Sequence, residues 1–218
     1  MAKHREVQQR VQQEIDAVLG SRPPALTDRT RMRYTEAVLY EVQRYASLVA
    51  LAIRRVTDDC EMRGYRIPKN SLAIINHWAA HRDPLIWPHP TRFSVDNFLG
   101  APPTTAEEKE KDAELFERRP LVRTDVMLPF SLGKRECLGE NLARSELFLF
   151  FVRTLQKFSV LPASGNVVLD APDAEVEIDN PIFRIPAEHP LTFIARSWTR
   201  IIHWPAIKLY YLQSFLHN

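Results

Sequence analysis

This chain is poor in the residues that would make it easy to place. Two cysteines in 218 residues, Cys60 and Cys137, are too few for the disulfide framework of a small secreted domain. They form no C-x-x-C pair, so a dithiol redox centre has no motif to rest on. Seven histidines occur, and none stands in an H-E-x-x-H or Cys/His zinc spacing; His77, His81, His89, His189 and His203 are read, with the rest, as non-ligands. Charge of one sign is also scarce. The net charge is +2, which gives no case for nucleic-acid binding. No apolar run reaches the ~20 residues that a spanning helix needs. Met1 to Arg10 is polar and basic, so no secretory signal is expected there. There is no internal repeat.

What is present suits a globular chain. Hydrophobic residues make up 45% and charged residues 26%, enough to bury a core. Val7, Val11, Ile15, Val18 and Leu19 recur at helical spacing until Gly20 and Pro23-Pro24 stop them. A second helix is expected from about Arg31 to Tyr45, with Tyr34, Val38, Val42 and Tyr45 on one face. Short strands are expected between Ile53 and Ile75, with a turn-rich hairpin at Arg63 to Asn70 and an apolar strand at Leu72 to Ile75. His81 to Pro90 reads as loop with at most a helical turn, and Pro102 to Lys111 as an exposed excursion. Leu147 to Leu155 is long enough for a third helix. Beyond Pro162, Val167-Val168-Leu169 and Glu188 to Ala195 suggest a closing hairpin. The fold class expected is mainly α with small β sheets.

The most informative stretch is Pro129-Phe130-Ser131-Leu132-Gly133-Lys134-Arg135-Glu136-Cys137-Leu138-Gly139-Glu140. It presents one thiol on a Gly-punctuated loop just before a helix. Orphan N–H groups at that helix start would favour the thiolate. Gly133 and Gly139 allow backbone that other residues resist and a close approach to a flat ligand. Arg135 is placed to pair with a carboxylate. A lone cysteine so presented serves as a nucleophile or as the axial ligand of a haem iron; a buried free thiol is the plain alternative. Cys60, in Thr57-Asp58-Asp59-Cys60, reads as a free thiol.

The pattern Phe130-x-x-Gly133-x-Arg135-x-Cys137-x-Gly139 fixes five positions at set spacing. On it the chain resembles the carboxy-terminal part of a cytochrome P450, most like the animal microsomal family 2 type. The resemblance runs from about His4 to Arg196. It implies that the first helix is similar to the J helix, the second to the K helix and the helix after Cys137 to the L helix. Residues 1–197 would be the family portion, and residues 198–218 an unrelated tail. That tail is apolar and aromatic and suits a membrane interface or a separate extension; Pro205 interrupts any long helix in it.

The resemblance also assigns residues. It implies haem b (iron protoporphyrin IX) with Cys137 as its iron ligand, Phe130 packed near the sulfur, and Arg135 on a propionate. Arg54 matches a position that contacts a propionate; the plain reading is a strand-end charge. Glu41 and Arg44 match the family's Glu-x-x-Arg, which joins a third residue behind the haem; on spacing alone they are a surface ion pair. Asn97 matches the third position, with Arg92 as a rival. Val49, Ala50 and Ile53 match the fifth substrate-recognition segment and Pro181-Ile182-Phe183 the sixth, though either set could be ordinary core. Lys134, Arg135, Arg118, Arg119 and Arg123 give a basic bias around the loop, which in the family docks an acidic flavoprotein reductase; a solvated face is the alternative.

Function follows by the same route. The resemblance implies a monooxygenase that places one oxygen atom of O2 in a lipophilic small molecule, with electrons from NADPH delivered by NADPH–cytochrome P450 reductase and cytochrome b5 as a further partner. It implies the cytosolic face of the endoplasmic reticulum membrane for the full-length protein. The family's amino-terminal anchor, its I helix with an acid-or-amide plus Thr pair, its Trp-x-x-x-Arg helix and four of six recognition segments find no match here. The competing expectation is therefore a catalytically inactive haem-binding or partner-binding fragment, poorly soluble and weak in holding haem. A thiol-redox protein using Cys60 and Cys137 is the third reading.

Overall fold

The computed structural model describes residues 1–100, 119–163, 182–184 and 190–196. The excursion at 102–111, Arg118, Val167 to Leu169, Pro181, His189, His203 and the tail at 198–218 lie outside these. The described elements are α1 (Arg5–Val18), α2 (Arg33–Ala46), β1 (Leu51–Arg55), β2 (Cys60–Met62), β3 (Tyr65–Ile67), β4 (Leu72–Asn76), the single turn α3 (His77–Ala80), α4 (Glu140–Lys157), β5 (Phe158–Pro162) and β6 (Leu191–Ala195). Short 3-10 turns stand at Leu26–Arg31, Val95–Asn97 and Gly133–Arg135. Helices with three small antiparallel sheets make this an α+β arrangement.

The helices share one core because their apolar stripes face one another. Val11 and Ile15 of α1, Val38 of α2 and Phe148, Val152 and Leu155 of α4 are buried together with Met32, Trp87 and Phe98. Burying each such side chain contributes about 1.5–3 kcal/mol. Glutamines between the apolar positions of α1 are buried too. Gln8 exchanges hydrogen bonds with the backbone of Val160, and the Gln12 amide donates to the carbonyls of Leu155 and Phe158. They tie α1 to the end of α4 and the start of β5. Glu14 of α1 accepts from the Tyr34 and Thr35 N–H groups at 2.9 and 2.8 Å, so the start of α2 is capped from another helix. Ser47, at φ 43°, ends α2 in the left-handed region.

The strands follow local signals. β1 pairs with β4, and β2 with β3, both antiparallel. Arg63 and Gly64, at φ 50° and 84°, form the two-residue turn between β2 and β3, the left-handed pair that a tight hairpin requires. Leu191–Ala195 pairs with Phe158–Pro162, directly after α4, and the other arm expected of a closing hairpin, Val167 to Leu169, lies outside the described residues. The alternation Phe158, Val160 and Pro162 was hidden in sequence by its continuity with the apolar helix.

Candidate functional site

Residues from Leu48 to Arg54, the Cys137 loop, the start of α4 and Ile182 to Arg184 line an open cavity of about 1030 Å³. That is at the top of the ~300–1,000 Å³ range of ligand sites. Its wall brings together Cys137, Phe130, Arg135, Arg54, Val49, Ile53, Ile182 and Phe183, which sequence analysis drew from three separate stretches. Backbone bonds hold these stretches in place. Val49 bridges Phe183, the Ala50 N–H donates to the Ile182 carbonyl at 2.9 Å, and the Arg184 N–H donates to the Leu48 carbonyl at 2.8 Å.

The loop closes on itself. The Cys137 N–H donates to the Phe130 carbonyl at 2.9 Å, and the Glu140 N–H to the Cys137 carbonyl at 3.3 Å. Gly133, at φ 76°, supplies the left-handed residue at the tip. Ser131, at φ 65°, adopts the same region without that freedom, a local strain of roughly 1–3 kcal/mol. Arg144, one turn into α4, stacks its guanidinium 5.1 Å from the Phe130 ring centroid and pairs with Glu140 at 2.7 Å. Sequence reasoning missed Arg144, although its i, i+4 spacing from Glu140 was legible.

Several expected features stand apart from the cavity. No described N–H group bonds the Cys137 sulfur, because α4 begins only at Glu140 and a turn intervenes. Gly139 has φ −90°, which any residue adopts, and a Cβ there would meet the sulfur at 3.9 Å, ordinary contact. Neither Gly133 nor Gly139 lines the cavity. Ala50 does not line it either. It is buried where its backbone bonds both Ile182 and Trp78. Among the described residues, the basic bias is smaller than the sequence suggested. Arg119 pairs with Asp96 at 3.2 Å and donates to the Gly100 carbonyl. Arg123 donates to the Asn97 carbonyl. Lys134 and Arg135 remain exposed.

Behind the cavity, Glu41 and Arg44 form a doubly hydrogen-bonded pair at 2.7 and 2.8 Å with neither side chain exposed. Arg44 also donates to the carbonyls of His81, His89, Pro90 and Arg92. Asn97 donates to both Glu41 carboxylate oxygens at 3.2 Å, and the Ser94 N–H adds a bond at 2.7 Å. Burial pushes the Glu41 carboxyl upward, against the pull of Arg44, Ser94 and Asn97. Asn97, not the Arg92 side chain, meets Glu41; Arg92 turns outward and contributes its carbonyl. The surface-pair alternative is excluded by the burial. The pair fixes the loop from His89 to Asn97 against α2.

The wall fits a flat, apolar cofactor with acidic groups at its edge. Among the described residues neither Arg54 nor Arg135 pairs with a carboxylate; the Arg54 guanidinium donates only to the Ile53 and Arg135 carbonyls. The wall also carries Arg184, Glu136 and Glu146, and the guanidiniums of Arg54 and Arg135 are donors of the kind that carboxylates seek. Among the described residues, three buried polar atoms without a partner, Gln43 Oε1, His77 Nδ1 and Arg184 Nε, belong to residues of the same wall. Cys60 is exposed on β2 and does not line the cavity. Among the described residues, no cluster of His, Cys, Asp and Glu could hold a bare metal ion.

Comparison with known proteins gives this wall its context. A family model described as Cytochrome P450 matches residues 1–182. Cytochrome P450 2B2 of Rattus norvegicus is 40% identical over 198 residues, covering 90% of this chain and 36% of the relative. Cytochrome P450 2U1 of Bos taurus is 38% identical over 172 residues, 78% of this chain and 29% of the relative. Cytochrome P450 2J2 of Homo sapiens is 40% identical over 168 residues, 76% and 30%. The chain thus spans about a third of the length of the curated relatives it matches. With most of its length matched by the family model, the chain belongs to the cytochrome P450 family.

Proposed function

We propose that this chain forms the cofactor-holding part of a haem-thiolate monooxygenase. The convergence of Cys137, Phe130, Arg135 and Arg54 on one cavity carries the reading. Cys137 is the iron ligand, with its sulfur presented to the cavity by the bond from its own N–H to Phe130. Phe130, stacked by Arg144, lines the same cavity and would pack against the haem beside the sulfur. Arg135 and Arg54 bind the propionates, and Gly133 gives the loop its turn. Val49, Ile53, Ile182 and Phe183 offer an apolar surface to a lipophilic substrate. Glu41, Arg44 and Asn97 are structural. Bound haem with a thiolate ligand supplies O–O cleavage, so that one oxygen atom enters the substrate and the other leaves as water.

Electrons come from NADPH through cytochrome P450 reductase, with cytochrome b5 as a second donor. Lys134 and Arg135 are the exposed cations of the loop that steer such an acidic partner. The endoplasmic reticulum membrane is the proposed site of the whole protein. No helix among the described residues is long and apolar enough to cross a membrane. Residues 1–197 are proposed as the family portion, with 198–218 distinct from it.

The test is the reduced, carbon monoxide difference spectrum of the purified chain after haem supplementation, beside Cys137→Ala. A red-shifted thiolate-type Soret band, lost in the variant, supports the reading. No haem uptake, or a band indifferent to Cys137→Ala, refutes it.

A further inference from the structure

We infer that His81 is a positioning residue for the cysteine loop, its imidazole fastening the loop's stem to the end of α2. The inference deepens the proposed function, since the loop it fastens is the one that presents Cys137. His81 is fully buried. Its Nε2 accepts from the backbone N–H of Leu128 at 3.1 Å. That bond puts the ring proton on Nδ1, which faces the Ser47 hydroxyl oxygen at 3.1 Å. The Ser47 hydroxyl in turn donates to the Arg44 carbonyl at 2.7 Å and accepts from Arg82 at 3.2 Å. The backbone carbonyl of His81 accepts from the Arg44 guanidinium at 2.7 Å. One residue therefore joins three things: the left-handed end of α2, the buried Glu41–Arg44 pair, and the chain entering the loop.

The position of Leu128 makes the bond consequential. Its carbonyl accepts from Ser131 at 3.2 Å, closing the turn that starts the loop. Pro129, next in sequence, has no N–H to donate. Phe130 then receives the Cys137 N–H. Loss of the His81 acceptor would leave a half-buried backbone donor unpaired at the stem, and the loop would lose its tie to the end of α2. The ring can play this part because it stays neutral. Burial, together with nearby Arg44, Arg82 and His77, holds its pKa down to about 4.

The experiment uses the full chain, with and without added haem, and three forms: wild type, His81→Leu and His81→Gln. Glutamine keeps an acceptor for the Leu128 N–H; leucine does not. In the haem-free chain, amide exchange across residues 128–137 should speed up about tenfold in His81→Leu and by less than threefold in His81→Gln, with α1 unchanged. In the haem-loaded chain, the thiolate-type share of the carbon monoxide band should fall in His81→Leu and recover in His81→Gln. Equal loop exchange in wild type and His81→Leu overturns the inference. So does equal acceleration in both variants, or acceleration spread evenly over α1. A wild type with no thiolate band refutes the proposed function instead, and the exchange result still decides the role of His81.

Discussion

Replacing Arg44 tests how the fold behind the cavity is held. In Arg44→Leu the Glu41 carboxylate, with no exposure, loses its doubly bonded partner. The carbonyls of His81, Pro90 and Arg92 lose their donor at the same time, while that of His89 keeps the Asn97 amide. Breaking a buried pair by removing one partner costs about 3–5 kcal/mol. Each acceptor left dry adds a share of roughly 1–3 kcal/mol, less than additively. A domain with ~5–15 kcal/mol of stability has little left after that. Arg44→Lys is the sharper probe. It keeps the charge but not the planar fork that serves Glu41 and four carbonyls at once, and should cost about 3 kcal/mol. Urea unfolding followed by circular dichroism gives the number, and fluorescence reports locally, because the Trp87 ring lies 5.5 Å from the Arg44 guanidinium. A double-mutant cycle with Glu41→Gln should return strong coupling, and one with Asn97→Ala weaker coupling. If Arg44→Lys unfolds within ~1 kcal/mol of wild type, the network is not what holds this loop, and the reasoning fails.

Further outcomes follow from other groups. Glu14→Ala should destabilise by about 2–4 kcal/mol, since it uncaps two N–H groups at the start of α2; an exposed-site effect near ~0.5 kcal/mol in urea unfolding would contradict this. Arg54→Ala and Arg135→Ala should each speed haem loss to a haem-scavenging protein while leaving thermal unfolding of the haem-free chain nearly unchanged, Arg135 being exposed and Arg54 half-buried with bonds only to backbone carbonyls; equal haem retention would count against propionate binding. His81 gives a pH dependence. Its folded pKa of about 4 lies below the ordinary 6.5, so the unfolded state binds more protons between these values. Its contribution is complete above about pH 6.5 and is lost as pH falls toward 4, by ~3 kcal/mol. His81→Gln should flatten that window in unfolding free energy against pH, and an unchanged slope would show that His81 does not titrate there.

Much was readable along the chain where the signal is local. The apolar stripes of α1 and α2, the Arg63-Gly64 turn and the spacing from Phe130 to Gly139 depend on near neighbours, so the sequence carries them. Spacing also set Glu41 and Arg44 on one helix face. Only packing decided that this face is dry, turning a weak surface pair into a buried one. The choice of Asn97 over Arg92 was equally tertiary. Both lie in one short loop, and which of them turns inward depends on where Arg44 draws the carbonyls.

The long-range ties were out of reach for the same reason. Gln8 and Gln12 look like solvent-facing helix residues, yet they bond a strand about 150 positions away. His81 bonds a peptide N–H, which has no sequence signature at all. The pairing of β6 with β5, about 30 positions earlier, is likewise a choice that local pattern does not make. By itself the sequence determined which residues are chemically able to act, above all Cys137 with its flanking glycine and arginine. The tertiary structure decided which of them share a cavity and which polar groups are buried, because desolvation and hydrogen-bond satisfaction depend on neighbours that only the folded chain brings together.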